Sequence, residues 1–220
     1  SQIKKEFFQT VILEYWRAKG RHDLPWRKTD DPWKLLIAEI LLRKTTSKQV
    51  IPIYSALVTY SPHEMVNLHL SELQEILHPI GMSFVRATQL IDAAQYFISK
   101  PLTDELLDDD LRSLKGVGKY ISNMVRCIST GAAAPGLDSN MIRVLQRFFG
   151  FISTRKRPRE DPSLWEFAEN LVPQNNCREY NWGVLDFGAM ICAFHKPKCR
   201  ECPLQSECSF FQERYNNPVG

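Results

Sequence analysis

The sequence predicts an all-helical chain, on three observations. Apolar residues recur at helical spacing in one segment after another. Acids and prolines stand at helix starts, as in Asp30-Asp31-Pro32 and at Asp138. Glycines punctuate the joins, at Gly20, Gly81, Gly116 and Gly118. With 220 residues, 44% of them hydrophobic, the chain can bury a sizeable core in one domain or two lobes. A net charge of only +3 says little about a nucleic-acid partner. No run is long and apolar enough for a membrane span, and nothing at the N-terminus resembles a signal peptide. An intracellular location, in cytoplasm or nucleoid, is expected.

The first helix is expected over residues 3–18, with Ile3, Phe7, Ile12, Leu13 and Trp16 facing the core and Gly20 as its stop. His22-Asp23-Leu24-Pro25-Trp26-Arg27 follows as a compact loop. After the Asp30-Asp31-Pro32 start comes Trp33-Lys34-Leu35-Leu36-Ile37-Ala38-Glu39-Ile40-Leu41-Leu42, a helix buried on most sides. Glu39 is the one carboxylate in this run. An unpaired buried carboxylate is costly, so Glu39 has a partner, faces a cleft, or titrates upward. Arg43-Lys44-Thr45-Thr46 ends the helix with basic residues.

Two further helices are expected over residues 47–60 and 63–78, the second with Met65, Leu68, Leu70, Leu73 and Leu77 as its apolar residues. Gly81-Met82-Ser83-Phe84 reads as a turn before a helix through about Ile98. Pro101–Asp110 reads as an acidic loop and short helix, facing away from any DNA because its aspartates repel phosphate. Leu111 and Leu114 lead into Gly116-Val117-Gly118, and helix restarts near Lys119 with Ile121, Met124, Val125 and Ile128 on one face. A helix start beside glycines offers N–H groups and a dipole to an anion such as phosphate. Past Pro135-Gly136, Asp138 opens a helix with Met141, Ile142, Leu145, Phe148 and Phe149 on its apolar face. Helices around 164–171 and 180–191 complete the set. Arg155–Arg159 is a basic, proline-broken surface loop.

Four of six cysteines crowd the C-terminus as Cys192-x6-Cys199-x2-Cys202-x5-Cys208. Four thiolates hold either zinc or an iron–sulfur cluster. Zinc ribbons usually show two separated C-x2-C knuckles, and only one pair here is that close. Metal-site spacing suits a reducing compartment. Cys127 and Cys177 fall outside the pattern and read as small buried residues.

These motifs together resemble the helix-hairpin-helix DNA glycosylases of the endonuclease III superfamily. Leu-x-Gly116-Val117-Gly118-x with Asp138 following resembles the family's hairpin and aspartate. Leu36-x-x-Glu39-x-x-Leu42-x-x-Thr45 resembles the catalytic-acid helix of its adenine and mismatch branches, and Leu24-Pro25-Trp26-Arg27 resembles a segment of the same branches. The cysteine run has the spacing that holds [4Fe–4S] there. The adenine branch carries Gln-Gln-Thr where this chain has Arg43-Lys44-Thr45, which brings the resemblance closest to the T/G-mismatch-specific thymine-DNA glycosylase branch.

The resemblance implies a two-lobed endonuclease III-like fold, residues 29–134 forming a six-helix lobe with the hairpin and residues 1–28 with 135–220 forming a lobe with the cluster. It implies a monomer acting on double-stranded DNA that carries a mismatched or damaged base. Asp138 and Glu39 fall on catalytic positions. Gly116, Val117, Gly118 and Lys119 would grip a phosphate, and Arg43, Lys44, Lys196, Lys198 and Arg200 would add positive charge to the DNA contact. Met82, with Phe84 second, would wedge into the duplex opposite the flipped base. Bifunctional members place a Schiff-base lysine where this chain has Tyr120, so hydrolysis without strand cutting is expected and Tyr120 becomes a pocket residue. Asp138, at a helix N-terminus, is expected to be held in its charged form. The expected activity is release of thymine and uracil from T·G and U·G. An adenine-DNA glycosylase fits Glu39 and Asp138, but not Arg43-Lys44, Tyr120 or the twelve residues after Cys208. A glycosylase/lyase is disfavoured by Tyr120. A non-catalytic iron–sulfur DNA-binding module is disfavoured by the presence of both Glu39 and Asp138.

Overall fold

The computed structural model describes residues 1–100 and 110–216. The acidic loop and short helix expected before the hairpin lie, Asp110 apart, outside these residues. Among the described residues every regular element is helical, and no helix is long and apolar enough to cross a membrane. The chain divides into two compact units, His22–Thr130 and Ser1–Arg21 with Gly131–Gly220.

In the continuous unit, α2 (Pro32–Leu42) begins where Asp31 Oδ1 accepts from Trp33 N at 2.9 Å, with Pro32 in the first turn. Leu35 to Ala38, Ile40 and Leu41 are buried, and Glu39 is half-buried in their midst. α3 spans Ser47–Leu57. The single helix expected over 63–78 is two, α4 (Pro62–Met65) and α5 (Leu70–Leu77). The join is made of residues whose side chains compete for backbone groups: Asn67 Nδ2 donates to the His63 carbonyl at 2.8 Å, and His69 N donates to Glu72 Oε2 at 3.0 Å. Leu70 is therefore a surface residue instead of a core one. α6 (Ser83–Ser99) packs on α2, α4 and α5, and α7 (Lys119–Thr130) packs on α2. On α7 the expected face of Ile121, Met124, Val125 and Ile128 is buried.

In the discontinuous unit, α1 (Gln2–Lys19) packs on α10 (Cys177–Met190), which packs on α8 (Ser139–Phe149). α9 spans Pro162–Leu171, and a short α11 spans Ser209–Phe211. The buried stripe of α1 is Phe8, Ile12, Tyr15 and Trp16. Ile3, expected inside, is 79% exposed. It stands five residues before Phe8, about 140° round the helix from the stripe. Phe8 meets Phe148 and Phe149 with ring centroids 5.1 and 5.2 Å apart. Gly20 does end α1, in extended backbone and not in a left-handed turn. Space requires the glycine there, since a Cβ would lie 2.3 Å from the Trp16 ring. Cys127 and Cys177 are buried.

Candidate active site

Asp138 caps α8. Its Oδ1 accepts from Met141 N at 2.7 Å and its Oδ2 accepts from Asn140 Nδ2 at 2.9 Å. Both bonds favour the carboxylate, yet burial outweighs them and pushes the group up to about 6. Asp138 therefore ionises later than an ordinary aspartate, and it is a carboxylate at neutral pH. Asn140 Oδ1 in turn accepts from Arg143 Nη2 at 2.8 Å. The loop before Asp138 is held by Asn181, fully buried on α10. Asn181 Oδ1 accepts from Gly136 N at 2.7 Å, and its Nδ2 donates to the Ala134 and Cys177 carbonyls.

In the continuous unit, Glu39 is the half-buried position in the wall of buried residues on α2, and Tyr120 is half-buried in the first turn of α7. The turn before α7 runs from a 3-10 turn at Asp110–Ser113 through Gly116 and Gly118. Val117 is its buried anchor. Gly116 has φ +87°, and a Cβ there would sit 1.9 Å from Gln89 Nε2 and 2.9 Å from Arg43 Nη1. Gly118 differs: its φ is not positive, and a Cβ would meet nothing within 4 Å.

Arg43 and the hairpin turn are thus brought together, with Gln89 between them. Gln89 Oε1 accepts from Arg43 Nη1 at 3.2 Å, while Gln89 Nε2 donates to the Lys115 carbonyl at 3.0 Å. Lys44 is exposed with φ +55°. Met82, also left-handed at φ +52°, is 40% exposed, and Phe84 is 59% exposed. Neither packs in the core.

The four C-terminal cysteines are half-buried free thiols. Burial first, then the charges of Cys208, Cys192 and Cys199, push the Cys202 thiol up to about 12, so the four sulfurs lie within electrostatic reach of one another. Four such thiols are a donor set for a cationic metal centre, which would hold them as thiolates. Among the described residues no three His, Cys, Asp or Glu side chains form a ready single-ion site. The start of the run is pinned by arginines: Arg143 Nε donates to the Cys192 carbonyl at 2.8 Å, and Arg147 donates to the Ala193 and Phe194 carbonyls at 2.8 and 2.9 Å. Lys196, Lys198 and Arg200 are exposed.

Sequence reasoning missed Arg86, Gln89, Asn181, Arg143 and Arg147. Arg86 carried a readable signal. It shares a buried helical stripe with Leu90, Ala93 and Phe97, a spacing at which a charge needs a structural reason.

Residues 37–169 match the family described as HhH-GPD superfamily base excision DNA repair protein. A thymine/uracil-DNA glycosylase of Pyrobaculum aerophilum is 42% identical over 213 residues, 94% of this chain and 93% of that protein. A thymine-DNA glycosylase of Aeropyrum pernix is 38% identical over 96% of each chain. A solved structure of a thermostable thymine-DNA glycosylase superposes with a TM-score of 0.86 at 38% identity, covering 96% of this chain and 98% of that one.

Proposed function

This chain belongs to the HhH-GPD superfamily of base excision DNA repair proteins, and from that premise we propose that it is a DNA glycosylase that removes thymine and uracil mispaired with guanine, by hydrolysis alone. The observation that carries the hydrolytic reading is Asp138, a half-buried carboxylate held by two hydrogen bonds and with its pKa raised to about 6 by desolvation. Above that pH it offers a desolvated negative charge to a developing sugar cation.

Cleavage of an N-glycosidic bond passes through such a cation, as in glycoside hydrolysis. The C1′–N1 bond breaks with its electron pair moving to the base. Asp138 stabilises the positive charge on the sugar. A water then bonds to C1′, and its proton passes to Asp138. Glu39 hydrogen-bonds the flipped pyrimidine or orders a water, and Tyr120 contacts the base. Tyrosine has no amine, so no Schiff base forms at position 120. Lys119, the preceding residue, projects about 100° away round the helix.

Gly118 supports the DNA reading. Neither backbone geometry nor packing within the protein requires glycine there, so its missing side chain leaves room for something from outside. A phosphate at the start of α7 fits that room. Gly116, Val117 and Lys119 complete that grip, and Arg43, Lys44, Lys196, Lys198 and Arg200 add screened attraction to the backbone. Met82 and Phe84 are exposed as a wedge requires. A mismatched thymine leaves the stack at lower cost than a paired one, which gives a source of selectivity. The enzyme acts as a monomer, in the cytoplasm or nucleoid. Cys192, Cys199, Cys202 and Cys208 would hold a [4Fe–4S] cluster, which when bound supplies a four-point cross-link with one-electron chemistry. Arg143 and Arg147 orient the first of those cysteines from the protein side.

The test is single-turnover base release from duplexes carrying T·G, U·G, A·G, A·8-oxoguanine and T·A, with alkali added afterward to half of each. Release from T·G and U·G with breaks only after alkali is expected. Preference for the adenine pairs, or breaks without alkali, overturns the reading.

A further inference from the structure

Arg86 heads the large, fully buried side chains among the described residues, and it is charged. Its guanidinium donates to the Leu41 and Arg43 carbonyls and to Thr45 Oγ1 on one side, and to the Ile80 and Gly81 carbonyls on the other. The Ile40 carbonyl lies 3.4 Å from its Nε. Two of these carbonyls belong to the last turn of α2, where helix carbonyls lack internal partners and a cation is favoured. Two others immediately precede Lys44 and Met82, the two left-handed non-glycine residues among the described residues of this unit. Such backbone persists only where surrounding bonds hold it. One helical turn on, Gln89 links the Arg43 side chain to the Lys115 carbonyl in the hairpin turn.

We infer that Arg86 and Gln89 form a polar brace on α6 that sets the wedge turn, the Arg43-Lys44 turn and the hairpin in one fixed relation, so that the duplex is gripped and unstacked by a pre-set frame. Both are positioning residues, acting through Met82, Lys44 and the hairpin backbone. The inference rests on the reading of this surface as the DNA-distorting one. It goes beyond that reading by assigning the cost of unstacking to the rigidity of the frame. A planar fork with fixed donors suits the task, because one group reaches two separate turns at once. A hydrophobic residue at 86 would leave those carbonyls buried without partners.

The test uses the full chain with Gln89→Met, close in volume to the native residue, and Arg86→Lys, which keeps the charge but not the fork. Each is given a duplex with a T·G pair flanked by 2-aminopurine, and a second DNA in which the target uracil already lies in an unpaired bubble. Circular dichroism first establishes that each variant is folded. The rate on the paired target relative to the bubble is expected to fall about 10- to 100-fold, as for a small misplacement of a positioned group. The 2-aminopurine emission that rises on binding should fall in parallel. Equal slowing on both DNAs, or unchanged ratios and emission, overturns the brace. If the native protein raises the emission but releases no base, the glycosylase reading fails, and the brace stands when the variants lower that emission and falls when they do not. If it releases base while the variants keep its ratio and emission, the brace fails and the glycosylase reading stands.

Discussion

Asn140 Nδ2 donates to Asp138 Oδ2 at 2.9 Å from the first turn of the helix that Asp138 itself caps. One oxygen is thus committed to the neighbouring amide and the other to Met141 N. The carboxylate is fixed in direction while burial raises its pKa from 3.8 to about 6.

Base release should therefore rise about tenfold per pH unit up to about pH 6 and level off above it, because the ionised carboxylate is the working form. Stability runs the other way. A group whose folded pKa is raised contributes stability that is fully present below pH 3.8 and lost as the pH rises through about 6. Asp138→Asn keeps the acceptor for Met141 N and removes the partly desolvated charge. It should abolish base release and gain about 1–2 kcal/mol of stability at pH 8, with the gain gone below pH 4. Urea melts at the two pH values check this; a variant destabilised at pH 8 would contradict the assignment.

The two hairpin glycines should behave differently. Gly116→Ala places a Cβ on Gln89 and in a backbone region that alanine avoids, costing about 2–3 kcal/mol. Gly118→Ala should stay within about 0.5 kcal/mol of the native chain, like other substitutions that touch nothing. Its DNA affinity should nonetheless fall. Denaturant midpoints beside binding isotherms at two salt concentrations separate the effects.

Asn181→Ala strips partners from Gly136 N and from two buried carbonyls. A loss of about 3–4 kcal/mol is expected, since the abandoned groups remain buried. The loop into Asp138 loosens with it. Amide exchange at Gly136 should accelerate far more than exchange in α7.

The cysteine run should give a yellow-brown protein with visible absorbance and equal iron and inorganic sulfide. Cys202→Ser should bleach it and lower the melting temperature. A colourless protein with one zinc would put the four thiolates to a different use.

Much of this was legible before any coordinates. Asp31-Pro32, Asp138 and the α7 stripe signalled themselves through local chemistry, and local chemistry is what sequence shows directly. The break between α4 and α5 was hidden because leucines at 68 and 70 continue a helical rhythm while Asn67 and His69 interrupt the backbone. Ile3 misled for a related reason: one apolar residue cannot show which stripe the helix buries. Arg86, Gln89 and Asn181 each act in part through a carbonyl distant in sequence, so their identities say that something must be satisfied without saying what. The rise in the Asp138 pKa was not readable, because the cap is local and the desolvation is not.

The discontinuous unit has a consequence for how the chain is made. Gln9 donates to the Leu171 carbonyl 162 positions away, and α1 finds its packing partner in α10. At roughly 5–20 residues per second on the ribosome, α1 waits on the order of ten seconds for α10 to be synthesised. Meanwhile Phe8, Ile12 and Trp16 have no native cover. The intervening His22–Thr130 is continuous and can fold during that delay. Nascent α1 is therefore a segment that a chaperone would shield during that delay, and misassembly between chains should begin there.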